Sequence, residues 1–471
     1  MASPSSERRH VAMARVHRPV RAAAGGVAVG LAFVVWLAGP EPAPAQTTAR
    51  ALVGRALPGD ARLDQVEAAI DRFRQRDPEG CKERLVRARH AEPRLPPPGV
   101  LMAALWLGAG QLPLARAELE ETVVQFPGDP EPYLVLGDLA FGERRITEAD
   151  LLFAQAAALA APFAENPRRR RDFEVRVRAG TAAVAEARRQ WEKARRLIAE
   201  WLELDPDNAG AHQRLGVVLF QLGQERESLA AFREARSLDE HSVQPELAVA
   251  RLHDAAGRPE AGGRVIDDAV RAAPDDAGVQ LAAAQWRLGR GDLAAAQASA
   301  DRALALAPRS LEGRIVRGAI ARAARDFPTA ERLFGEAHAQ APASFVAADN
   351  LALVLVERTD ADARRRAAEL AEANAARARD LPPQQITALT TLAWVYYKSG
   401  RREDAERILD QIARSHALTS DGAFYVATLL VDRGDRERAQ AILEQVLATE
   451  PMFATRPDAS DLLAKLKKDT P

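Results

Sequence analysis

One cysteine, Cys81, stands in the 471 residues. An internal disulfide is therefore excluded, and a thiolate metal site would need His or carboxylate partners. Aromatic residues make up only 5% of the chain, so any core must come from close helix contacts rather than from large rings. An excess of either charge is also missing. The formal net charge is −1, which leaves no overall basic field to attract nucleic acid. Catalytic signatures are absent as well: no HExxH, no G-x-S-x-G, no P-loop, and no GxGxxG behind a strand. The eight histidines show no ligand spacing. No cofactor, metal site or enzymatic reaction is expected.

The main apolar run lies at the start. Arg8, Arg9, Arg15, Arg18 and Arg21 precede residues 22–39, AAAGGVAVGLAFVVWLAG, and Ala43-Pro44-Ala45 follows. A basic start, an apolar centre and a small-x-small site describe an export signal cleaved after Ala45. The same run is marginally long enough to stay as a membrane anchor. The arginine pair lies too far from it for a twin-arginine signal. Removing these 45 residues takes away the five arginines, Glu7 and Glu41, so the net charge becomes −4 (−1 − 5 + 2). Membrane contact is expected only through this segment, if it is retained. The chain is then read as a short linker over 46–61 and repeats from residue 62.

What is abundant is one phrase, written many times. LGVVLFQLGQERESLAAF (215–232) and LAWVYYKSGRREDAERIL (392–409) share their order of small, large and turn residues. Pro93 and Pro127, then Pro274, Pro308 and Pro342, are spaced by 34. Allowing two insertions, units begin at 62, 96, 130, 175, 209, 243, 277, 311, 345, 386 and 420. The eighth position is Ala or Gly in every unit, from Ala69 to Ala427, and the twentieth is small, from Cys81 to Ala439. Position 24 is mostly large, as in Leu85, Phe153, Phe232, Phe334 and Leu409. Apolar residues at 7, 8 and 11, then at 20, 24 and 27, line one stripe on each of two helices. Gly110, Gly223, Gly257, Gly291, Gly400 and Gly434 mark the turn between them. Pro at position 32 ends the second helix. A single unit cannot bury both faces, so neighbours must stack.

This pattern resembles the tetratricopeptide repeat, over about five sixths of the chain. Units at 209, 311 and 386 match it well. Those at 62, 175 and 345 are degenerate, with Trp201 and Asn374 where a small residue is usual. The resemblance implies an all-α, right-handed α-solenoid with a concave groove lined by first helices. The expected division is repeats 1–3 over 62–163, an Arg-rich insertion over 164–174, repeats 4–11 over 175–453, and a capping helix and tail over 454–471. In the insertion, Asn166 can cap a lengthened helix that begins at Pro167.

The family holds protein or peptide partners at positions 2, 5, 6, 9, 12 and 13 of the first helices. Its variant for C-terminal carboxylates needs Lys at 5 and Asn at 9, whereas position 5 here runs Val66, Val100, Leu134 and on to Phe424. That clamp is absent. Trp394, Tyr397, Phe424 and Tyr425 fall on groove positions of the last two units, with Lys398 and Asp432 beside them. They are the candidate anchors for a partner peptide or helix, against the plainer reading that the rings pack on the capping helix. Arg168, Arg169, Arg170 and Arg171 could contact an acidic partner, or form a solvated helix face. His253 and Cys81 read as packing residues, and two RGD triplets, at 290–292 and 433–435, as ordinary turns. The resemblance places the chain among non-enzymatic scaffolds, as an exported envelope protein or an anchored subunit of an export, secretion or cytochrome-assembly machine. A wall-cleaving enzyme would need a catalytic domain, for which the flanks leave no room.

Overall fold

The computed structural model describes residues 49–56, 64–379, 382–412, 418–449 and 452–468. Residues 22–39 and the expected cleavage point lie outside the described residues. Among those described, no helix is long and apolar enough to cross a membrane.

Among the described residues there are 24 helices and no strand. Eleven hairpins follow one another: Asp64–Arg74 with Pro78–Ala91, Pro98–Gly108 with Leu112–Gln125, Glu131–Gly142 with Ile146–Ala160, and Pro167–Ala187 with Trp191–Leu204. Then come Ala209–Gln221 with Glu225–Leu238, Pro245–Ala255 with Pro259–Ala272, Ala277–Gly289 with Leu293–Leu306, and Leu311–Ala323 with Phe327–Gln340. Phe345–Leu355 with Ala361–Arg377, Pro382–Lys398 with Arg402–Ile412, and Ser420–Asp432 with Arg436–Thr449 complete the series. Within this series each helix packs on the next, and from the fifth unit onward each first helix also touches the first helix of the following unit. That second contact lines up the first helices along one face. The chain is an α-solenoid.

Helix Arg456–Lys468 packs on both helices of the last hairpin and covers its open side. The stretch read as a linker holds a further helix, Ala49–Ala56.

Local chemistry explains the boundaries. Asn208, Asp276, Ser310, Ser344 and Thr419 cap first helices with side-chain oxygens. Ten of the eleven described hairpins place a left-handed residue at position 15 of the turn. Six units supply Gly there, and four supply Arg76, Arg144, Arg189 and Arg325, with φ between 55° and 62°. Side chains in that conformation cost about 1 kcal/mol or more, so the hairpin geometry dominates local preference at these four turns.

The alternation of Ala and Gly at position 8 also has a cause. Where position 24 is Phe, position 8 is Gly. A Cβ on Gly137, Gly216 or Gly318 would lie 2.7, 2.8 or 2.9 Å from the ring of Phe153, Phe232 or Phe334. Units with a smaller residue at 24 carry Ala at 8. Gly318→Ala should therefore destabilise its hairpin by about 1–3 kcal/mol through overpacking, and adding Phe334→Leu should recover most of it. Amide-exchange protection across Leu311–Ala323 and Phe327–Gln340 in the single and double variants checks this; equal losses in both would contradict the pairing.

Candidate partner-binding groove

The six C-terminal candidates do come together, since positions 9, 12 and 13 of one first helix face positions 5 and 6 of the next. Trp394 stacks on Tyr425 at 4.4 Å between centroids and on Tyr397 at 5.5 Å, and Phe424 tilts against it at 5.8 Å. Lys398 Nζ lies 5.4 Å from the Trp394 ring and 3.0 Å from Glu357 Oε2. The Tyr397 hydroxyl donates to Asp432 Oδ2 at 2.9 Å.

The expectation of an open aromatic surface is overturned for three of the rings. Trp394, Phe424 and Tyr425 are 6%, 9% and 4% exposed and belong to the C-terminal core. Tyr397 and Lys398 remain half-buried, and Asp432 is exposed. The cause is long-range. Arg322, at position 12 of the eighth unit, pairs with Asp421 of the eleventh, and its Nη1 lies 3.4 Å from the Tyr425 hydroxyl. Asp421 Oδ1 also accepts from the backbone and hydroxyl of Thr455, both at 2.9 Å. Arg325 pairs with Asp458 at 3.2 Å on the closing helix. This clasp draws the end of the solenoid across its own groove. A cavity of about 150 Å³ remains over Trp394, Phe424 and Tyr425, bounded by Arg322, Thr455 and Asp458.

Arg322 is half-buried, which works against its charge, yet Asp421 more than offsets this and holds the guanidinium protonated. Arg322→Ala should therefore release the clasp. Amide exchange should rise in Ser420–Asp432 and Arg456–Lys468 and stay unchanged in the first five units. Unchanged protection in both helices would show that the clasp does not hold the end.

A larger cavity, about 790 Å³, lies on the concave face of units six to eight. Leu247, Arg251, Leu288 and Ala319 line it from three successive first helices; Asp421 and Phe453 close it from the returning end. Its volume suits a short peptide segment or several side chains. Burial lowers the Arg251 pKa to about 10, with Asp254 and Glu312 pulling it back up. Glu312 Oε1 in turn accepts from Gln285 Nε2 at 2.8 Å. These residues carried no separate signal in the sequence beyond their groove positions, since Arg251 and Gln285 both sit at position 9.

The four insertion arginines divide. Arg168, Arg170 and Arg171 are exposed; Arg170 pairs with Glu174, and Arg171 donates to the Leu204 carbonyl. Arg169 is 2% exposed, and its Nη2 reaches both Asp129 oxygens at 2.8 Å and Glu131 Oε2 at 2.9 Å. Phe163 and Phe173 cover its guanidinium. It is thus not a contact for an outside acidic partner: its acids are internal.

Other singled-out residues are quiet. His253 is 3% exposed, edge-on to Phe220, with Nε2 3.1 Å from Glu225. Cys81 is fully buried, and burial, then Asp77 and Glu118, push its pKa to about 11, so little thiolate exists at neutral pH. Gly291 and Gly434 of the RGD triplets occupy left-handed turns. Among the described residues no group of three His, Cys, Asp or Glu could hold a metal.

The chain matches no protein-family model and no curated protein. Among solved structures it is similar to yeast Tom70, with 14% identity over 86% of this chain and 95% of that one, TM-score 0.36. It is similar also to the Cut9-Hcn1 hetero-tetramer of APC/C (12%, 86% and 96%, TM-score 0.39). A tetratricopeptide repeat protein from Parabacteroides merdae gives 12%, 63% and 99%, with TM-score 0.32. At such scores the fold rests on the hairpins themselves.

Proposed function

We propose that this chain is a non-enzymatic scaffold of the bacterial cell envelope that holds a protein partner in its concave groove. The carrying observation is the cavity of about 790 Å³ on the concave face of units six to eight. It combines apolar walls, Leu247 and Leu288, with polar groups on rigid helices, Arg251, Gln285 and Glu312. Such a surface fits a peptide segment. Envelope placement rests on the basic start, the apolar run and Ala43-Pro44-Ala45. N-terminal sequencing of protein recovered from the envelope should begin at Gln46; an intact start would favour the anchored form.

The test of the groove is capture of envelope proteins on the wild-type chain beside a Leu247→Asp, Arg251→Glu variant, with helicity checked by circular dichroism. A partner held by the first and lost by the folded second supports the reading. Equal capture by both moves the contact to the convex face and removes this site from the proposal.

A further inference from the structure

A second stretch of the groove is already occupied. Helix Ala49–Ala56 packs against the first helices of units two and four, Pro98–Gly108 and Pro167–Ala187. Ala49, Leu52, Val53 and Ala56 recur at i, i+3, i+4 and i+7, the spacing of one helix stripe, and each is 1–2% exposed. They share one core with Val66, Leu95, Val100 and Leu101. Gly54, on the other side, is exposed.

The seat is built by the insertion. Asn166 Oδ1 caps the long helix by accepting from Arg168 N and Arg169 N. Its Nδ2 donates to the Ala56 carbonyl at 2.8 Å and to the Arg94 carbonyl at 3.2 Å. The Ala56 carbonyl is one of the last four of its helix, which have no partner within it. One buried side chain therefore ends one helix and begins another. The Arg169 cluster with Asp129 and Glu131 fixes that helix start against unit three. Nothing in the repeat needs this arrangement, since the other units stack without it.

We infer that the groove of units one to four is a receptor for a short helix with a small–Leu–Val–small face, and that Ala49–Ala56 is an internal tenant which a partner helix of the same pattern displaces. The inference rests on the scaffold reading for its biological meaning, but not for its chemistry. The occupant defines the ligand: eight residues of helix, Ala or another small residue at both ends of the stripe, Leu and a β-branched residue between, and a C-terminal carbonyl for Asn166. A tethered tenant competes at an effective concentration in the mM range, so a free helix of equal fit binds poorly until the tenant is weakened.

The test uses the full chain and a fluorescein-labelled peptide of residues 47–58, TTARALVGRALP, followed by anisotropy. Leu52→Asp with Val53→Asp in the chain expels the tenant, and this variant should bind the peptide at least tenfold more tightly than the wild type. A peptide carrying the same two aspartates should bind neither. Should the double variant lose its helical signal, Asn166→Asp serves instead: Asp keeps the accepting cap but has no N–H to give the Ala56 carbonyl, and peptide uptake should rise several-fold over wild type. No binding to either folded variant at about 100 times a micromolar Kd, or equal binding by wild type and variant, overturns the inference. A wild-type dimer that the aspartates turn into a monomer also overturns it, because the tenant would then come from a second copy. The assay contains no outside partner, so its failure leaves the cavity of units six to eight standing.

Discussion

Arg169→Met is expected to destabilise the third and fourth units by about 3–5 kcal/mol, the range for removing one partner from a buried ion pair. Asp129 and Glu131 are 6% and 2% exposed, and neither can reach water when the guanidinium goes. Glu131 keeps Arg176 at 2.9 Å, so Asp129 bears most of the loss. Global unfolding is a poor readout, because a solenoid is stabilised unit by unit. The measurement is amide exchange across Glu131–Gly142 and Pro167–Ala187, with Arg170→Met, an exposed neighbour, as the reference within about 0.5 kcal/mol. Replacing Arg169 and Asp129 together by apolar residues, with Glu131 left to Arg176, should restore most of the protection, since the penalty belongs to the stranded charge. Equal protection in Arg169→Met and Arg170→Met would mean that the cluster contributes nothing.

The second large effect is a pH dependence centred on Asp349. It occupies position 5 of the ninth unit, is 6% exposed, and its Oδ1 has no hydrogen-bond partner. Burial raises its pKa to about 7, against the pull of Thr391 and Arg322 and with some help from Asp421. The folded state thus holds a proton that the unfolded chain, with an ordinary carboxylate near about 4, has released. Stability is greatest below that ordinary value, falls as pH rises towards 7, and is level above it. The gap between an ordinary carboxylate and this one corresponds to roughly 4 kcal/mol. Asp349→Asn should abolish this slope and leave the ninth unit more stable than wild type at pH 8. Amide-exchange protection of Phe345–Leu355 at pH 5 and pH 8, each set against the intrinsic rate at that pH, decides it; wild-type protection that rises across that interval would refute the assignment.

The fold was legible because each element repeats its own reason. The pairing of Gly at position 8 with Phe at 24 is local, so it is written within one unit. The candidate site was legible only in part. Register alone places Trp394, Tyr397, Phe424 and Tyr425 on one face, and they do meet. Their burial depends on how sharply the solenoid curls, which brings Arg322 to Asp421 across 99 residues. No 34-residue period carries that information. Arg169 looks like its three neighbours in sequence; only the rotation of the long helix turns it inward, towards acids 38 and 40 residues earlier. Helix Ala49–Ala56 did leave a trace, in the spacing of Ala49, Leu52, Val53 and Ala56. Eight residues followed by Leu57-Pro58-Gly59 are too few to stand out against a loop.

The position of that helix has a consequence for assembly. It is made before its seat, which needs the long helix up to Ala187. At about 5–20 residues per second, roughly 7–25 s pass between the two during synthesis. Throughout that interval Leu52 and Val53 have nowhere to go, and an isolated eight-residue helix does not hold in water. This early helix therefore settles only after the first helix of the fourth unit is made, and any factor that escorts the nascent chain meets it unfolded beside an unfinished groove.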